Sequence, residues 1–102
     1  GIVPRRGDLR ASGQIVKALA EAAKGAACVI AQNPNYLGVI EDMHTMADAA
    51  HSDGGFFVAV VNPVSLAVLE APRNYGADIA VGEGQSMGNG MNFVATTAGA
   101  CL

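Results

Sequence analysis

Six consecutive apolar residues, Phe56 to Val61, stop at Asn62-Pro63, the sharpest element boundary in the chain. An unbroken run of that length, with valine at three positions, predicts a strand covered on both faces. Cys28-Val29-Ile30-Ala31 repeats the pattern more briefly and is bounded by Asn33-Pro34-Asn35. Proline has no N–H to donate and pushes the residue before it out of helical space, so that strand must end there. A third short run, Ile79 to Val81, leads into a glycine-rich stretch from Gly82 to Gly90.

Helical periods fill the gaps. Over residues 12–24, Ser12 can cap the first turn while Ile15, Leu19, Ala22 and Ala23 recur on one stripe. Gly25 after Lys24 is the expected stop. A second helix is expected over residues 39–51, with Ile40, Met43, Met46, Ala47 and Ala50 facing inward. Glu41 and Asp42 would occupy its first turn and His51 its last, as the helix dipole favours. Residues 65–69 read as a short helical or irregular segment.

Continuous apolar strands joined by helices imply an α/β fold, a three-layer arrangement of a mostly parallel sheet with crossover helices. In such sheets ligands gather at the carboxyl ends of the strands. Asn33, Asn62 and Gly82 fall at three such ends, so a shared rim is expected. Ordinary turn chemistry uses the same residue types, so the pattern alone leaves both readings open.

The 102 residues are enough for one domain. Hydrophobic residues make up 51% and charged ones 15%, with a mean hydropathy of +0.31. So little polar material over so much apolar chain suggests a single partial domain, a piece of a larger protein whose apolar faces meet other segments. Self-association follows as an expectation, because two helices cannot cover both faces of the sheet. A net charge of −3 with scattered basic residues gives no footprint for nucleic acid or an anionic membrane. No apolar run reaches the ~20 residues of a membrane span, and no secretory pattern follows Arg5 and Arg6. The compartment reads as cytoplasmic.

Local motifs exclude more than they assign. The three glycines at Gly82, Gly84 and Gly88 miss dinucleotide spacing, and no Gly-Lys-Ser/Thr run is present. Positive φ at several of them is the expected reason for the run. His44 and His51, seven residues apart on one helix, would lie ~10 Å apart, too far to share a metal. His51 reads as a partner of the helix dipole. Cys28 reads as a small core residue rather than a catalytic thiol.

Three segments then act together: Gln32 to Asp42, Asn62 to Leu69, and the run Tyr75-Gly76-Ala77-Asp78-Ile79-Ala80-Val81-Gly82-Glu83-Gly84-Gln85. Their order resembles the large domain of the glycine cleavage system P-protein family, and in particular subunit 1 of its two-subunit form. The resemblance runs from about Val3 to Phe93. It implies the aminotransferase-like large domain of pyridoxal-phosphate enzymes. In that fold one strand ends in an aspartate that pairs with the pyridine nitrogen, and two elements later comes the Schiff-base lysine.

On this resemblance Asn62 takes the aspartate position and Gln85 the lysine position, with Asn33, Gly82 and Gly84 along the rim. A neutral carboxamide cannot keep a pyridinium protonated, and a glutamine amide cannot form an imine. The lysines, Lys17 and Lys24, both belong to the first helix. The implied role is therefore that of the subunit lacking the cofactor lysine, with no catalytic residue of its own and no covalently bound cofactor.

The resemblance further implies partners: subunit 2 carrying pyridoxal phosphate, the lipoyl H-protein, and glycine, which the whole enzyme decarboxylates. The isolated chain would be inactive. After Phe93 the sequence departs from the family pattern, which leads one to expect Gly-Gly-Pro, so residues 94–102 form a divergent tail. Two other readings stay open, a non-catalytic α/β interaction module and a piece of another aminotransferase-superfamily enzyme.

Overall fold

The computed structural model describes residues 18–88 apart from residue 20, together with the backbone of residues 97–101. Four strands form one sheet in the order β1 (Cys28–Asn33), β2 (Phe56–Val61), β3 (Ile79–Glu83), β4 (Thr97–Cys101). The first three are parallel, as their continuous apolar runs require, with Cys28 opposite Phe56 and Val58 opposite Ile79. The fourth, β4, runs antiparallel to β3, pairing Ile79 with Cys101 and Glu83 with Thr97. Nothing in the tail predicts it. Thr-Ala-Gly-Ala-Cys is poor in the branched and aromatic residues that mark strands.

Residues 18, 19 and 21–23 are helical. The earlier part of the expected first helix, with Ser12, Ile15 and Lys17, lies outside the described residues. Lys24 and Gly25 form the turn that ends it, and the Gly25 N–H donates to Asp53 Oδ2 at 3.1 Å. Helix α1 (Met43–His51) links β1 to β2. Its buried stripe is Met43, Met46, Ala47 and Ala50, four of the five expected residues.

The start of α1 corrects the sequence reading. Residues 39–42 are not helical, and Ile40 is 61% exposed. Polar side chains upstream take the backbone donors instead. The Asn35 carboxamide oxygen accepts from Leu37 and Val39 N–H, and Asn33 Oδ1 accepts from Glu41 N–H at 3.1 Å. Asp42 is then the N-cap, accepting from Thr45 N–H at 3.1 Å and Thr45 Oγ1 at 2.6 Å. Asparagine competes in this way with helix start wherever its side chain can reach its own downstream backbone.

Strand alternation sorts the side chains. Val29 on β1 and Phe57, Ala59 and Val61 on β2 turn toward α1 and form the core with Tyr75 and Ala77. Leu19 and Ala23 join the same cluster from the first helical segment. On the other face Ile30 is 64% and Phe56 61% exposed. Cys28 shares that face and is exposed, not a core residue as its apolar neighbours suggest. Its position as the first residue of β1 places it at the rim of the sheet.

Asp78 fastens the amino ends of β2 and β3. Its Oδ2 accepts from Phe57 N–H at 2.7 Å and pairs with His51 Nε2 at 2.9 Å, while its own N–H donates to Phe57 O at 2.9 Å. These bonds hold the Asp78 carboxyl below the usual carboxylate range, the Phe57 N–H being the larger cause and the His51 side chain the next. His51 occupies the last turn of α1, where a cation suits the dipole, and ties that turn to β3.

Candidate functional site at the strand exits

At the opposite, carboxyl edge of the sheet, β2 ends at Val61 and Asn62 begins a tight turn. Asn62 caps the 3-10 helix Pro63–Ala67, its Oδ1 accepting from Val64 N–H at 3.1 Å. The Asn62 carbonyl accepts from Ser65 N–H at 2.9 Å and Ser65 Oγ at 2.7 Å. Proline at the first position of the turn loses nothing by lacking an N–H. The expected segment at residues 65–69 therefore begins two residues earlier, immediately after the strand.

β3 leaves the sheet beside it. An added Cβ at Gly82 would lie 2.6 Å from Val61 O and 3.3 Å from the Pro63 ring. Only glycine lets the two exits approach so closely. The chain then forms the short 3-10 turn Gln85–Met87, which Gly88 ends at φ 95°. Among Gly82, Gly84 and Gly88 only Gly88 has positive φ, so the run is not the multiple left-handed loop its composition suggests. Gly82 serves close approach instead.

The two turns meet. Ser86 Oγ donates to Asn62 Oδ1 at 2.9 Å. Between them opens a cavity of about 340 Å³, walled by Gln32, Val60, Asn62, Gly82, Gln85 and Ser86 with Glu83 at its edge. Asn62, Gly82 and Gln85 are thus brought together, as the parallel topology demands. Gly84 is buried behind them and does not line the cavity.

Asn33 is not brought there. Pleating points Gln32 toward the cavity and Asn33 toward the α1 face, where it is 7% exposed and bonded to Glu41. Gln32 takes the rim position expected of Asn33. The parity of β1 decides this, and both parities of Cys-Val-Ile-Ala are apolar, so the run itself gave no direction. Ser86 was missed for a different reason: it lies one residue beyond the position compared with the lysine, yet it is Ser86, not Gln85, whose bond to Asn62 is formed.

The lining is chemically mild. Glu83 is its one titratable side chain, beside three carboxamides and a hydroxyl, and no amine or guanidinium is among the described residues that form it. Such a wall can hold a ligand by neutral hydrogen bonds. It offers no amine to condense with an aldehyde and no cation for a phosphate.

Residues 9–100 match the sequence model of the glycine cleavage system P-protein. The chain belongs to the glycine cleavage system P-protein family. It is 57% identical over 72 residues to a probable glycine dehydrogenase (decarboxylating) subunit 1 of Moorella thermoacetica, covering 71% of this chain and 16% of that protein. The counterpart of Coprothermobacter proteolyticus is 53% identical over 66 residues, covering 65% and 15%. That of Exiguobacterium sibiricum is 42% identical over 88 residues, covering 86% and 20%. The chain therefore spans between 15% and 20% of the length of these relatives.

Among solved structures, a glycine decarboxylase (P-protein) of the glycine cleavage system, in inhibitor-bound form, superposes with a TM-score of 0.64. It shares 53% sequence identity, covering 72% of this chain and 17% of that one. Apo cysteine desulfurase from Thermococcus onnurineus NA1, at 24% identity, a TM-score of 0.58 and coverage of 68% and 18%, shares the fold. Both neighbours place the sheet in the pyridoxal-phosphate-dependent fold. Among the described residues the cavity at the strand exits has no amine and no cation, and these residues do not fit that cofactor as a covalently held group.

Proposed function

We propose that this chain is part of a subunit-1-type component of glycine dehydrogenase (decarboxylating), the P-protein of the glycine cleavage system. The whole enzyme decarboxylates glycine and passes the aminomethyl group to the lipoyl arm of the H-protein. Pyridoxal phosphate, carried on subunit 2, supplies the electron sink for loss of carbon dioxide. This segment supplies the sheet edge, the turn at Asn62 and the neutral cavity between Asn62 and Ser86, with Asn62 and Gln85 at the positions of the pyridine-nitrogen aspartate and Schiff-base lysine. Its setting is the cytoplasm.

The observation that carries this reading is the family match across residues 9–100, and a strand-exit cavity lined by Gln32, Asn62 and Gln85, with no amine among the described residues that form it, supports it. Partner dependence accords with the exposed face bearing Ile30 and Phe56, which in isolation drives self-association. Among the described residues no helix is long and apolar enough to cross a membrane.

Segment exchange tests the reading. The matching 72 residues of the Moorella thermoacetica relative would be replaced by those of this chain. The chimera would then be assayed with subunit 2 and H-protein for release of labelled carbon dioxide from carboxyl-labelled glycine. Activity comparable to the parent supports the reading. A chimera that folds and assembles but releases none favours an interaction module instead.

A further inference from the structure

Two bonds of the turn fix which end of the Asn62 carboxamide is left for a ligand. Its oxygen accepts from Val64 N–H at 3.1 Å and from Ser86 Oγ at 2.9 Å. A backbone N–H can only donate, so the atom it meets is the oxygen, and the amide cannot turn end for end. A carboxamide oxygen has two lone pairs, and both are engaged. Asn62 keeps Nδ2, whose two N–H donors meet no acceptor among the described residues. It is an exposed residue that lines the strand-exit cavity, so it meets a ligand there as a donor.

Ser86 has the opposite polarity. Its hydroxyl proton is spent on Asn62, which leaves the oxygen as an acceptor. The 2.9 Å bond between the two side chains therefore sets a fixed donor beside a fixed acceptor at one wall of the cavity. Gln32 and Gln85 are exposed and can turn either end of their amides inward, so they follow a ligand rather than select it. The charge of Glu83 at the edge, with no cation among the described lining residues, disfavours an anion. A carboxylate would in any case bring no proton for the Ser86 oxygen.

We propose that this cavity selects a small neutral molecule carrying a primary amide or lactam. Its carbonyl accepts from Asn62 Nδ2, its N–H donates to Ser86 Oγ, and its apolar part lies along Val60, which also lines the cavity. Asn62 is then the residue that determines specificity, because its orientation decides that a carbonyl is taken in. At about 340 Å³ the cavity falls within the size range of small-molecule sites, which begins near ~300 Å³. The proposal goes beyond the glycine dehydrogenase reading and does not rest on it. Binding and carbon dioxide release are measured separately, so either can fail alone.

The experiment titrates the whole chain, uniformly labelled with nitrogen-15, and follows the side-chain amide signals. Asn62→Asp identifies the Asn62 signal by its loss, and Asn35, whose Nδ2 donates to Glu41, serves as the internal control. The probes share one six-membered ring: 2-piperidone with both groups, N-methyl-2-piperidone without the N–H, and piperidinium without the carbonyl. Saturable shifts of Asn62, with Asn35 unmoved, are expected from 2-piperidone. N-methyl-2-piperidone should bind roughly tenfold more weakly, the order of one hydrogen bond, and piperidinium should not saturate. Asn62→Asp keeps an oxygen for Val64 and Ser86 but replaces the donors with an acceptor. There the order should invert, piperidinium binding better than 2-piperidone, as read from the Gly82 backbone amide. Shifts that do not saturate with 2-piperidone, equal affinity for all three probes, or an Asn62→Asp chain that still prefers 2-piperidone overturn the proposal. The comparison of probes on the natural chain decides it even where the variant does not fold.

Discussion

Ser86 Oγ reaches across 24 residues of sequence to the carboxamide oxygen of Asn62 at 2.9 Å, joining the turn after β2 to the turn after β3. The same oxygen caps Val64 N–H, so one side chain organises both exits. A double-mutant cycle should detect the link. Asn62→Ala removes the cap and should cost about 1 kcal/mol in urea unfolding. Combined with Ser86→Ala, a coupling energy of about 0.5 kcal/mol is expected for one exposed hydrogen bond. A coupling of zero would mean that the two turns fold independently.

Gly82 makes that contact possible by letting β3 leave the sheet against Val61. Gly82→Ala places a methyl group 2.6 Å from the Val61 carbonyl oxygen, a rigid backbone atom. The expected loss is about 2–3 kcal/mol, read as a lower urea midpoint with unchanged slope.

Acid should loosen the other end of the sheet. Asp78 is held below the ordinary 3.8 by Phe57 N–H and then by His51. Its folded pKa lies below its unfolded one, so its contribution is fully present above the unfolded value. That contribution is lost as pH falls through the folded value. Asp78→Asn should therefore give a flatter stability curve between about pH 5 and 2 than the parent chain, in urea titrations at a series of pH values. Equal slopes in that window would remove Asp78 as the acid-sensitive fastening. Asp42, lowered chiefly by the Thr45 side chain, keeps part of the acid dependence in either protein.

The parallel sheet was legible because Phe56 to Val61 admits one reading: six apolar residues with no break, then asparagine and proline. Convergence of Asn62, Gly82 and Gln85 followed from topology alone, since parallel strands all exit on one side. What the pattern could not carry was side-chain competition for backbone donors. Asn33 and Asn35 take the N–H groups of residues 37, 39 and 41, and so delay α1 to Met43. Nor could it carry strand parity, which put Gln32 rather than Asn33 at the cavity. Ser86 stood inside a recognisable run, but its importance lies in a contact 24 residues away.

On the proposed function, the Asn62 cavity is the rim of a cofactor site that has no amine among its described lining residues. The most direct measurement is incubation with pyridoxal phosphate, borohydride reduction and peptide mass analysis, on the natural chain and on Gln85→Lys. No reduced adduct is expected within the cavity of the natural chain, with any labelling confined to amines away from it, such as exposed Lys24. In Gln85→Lys an adduct at position 85 is expected to outpace labelling of Lys24. A stoichiometric adduct at the cavity of the natural chain, or an introduced lysine no more reactive than Lys24, would contradict it.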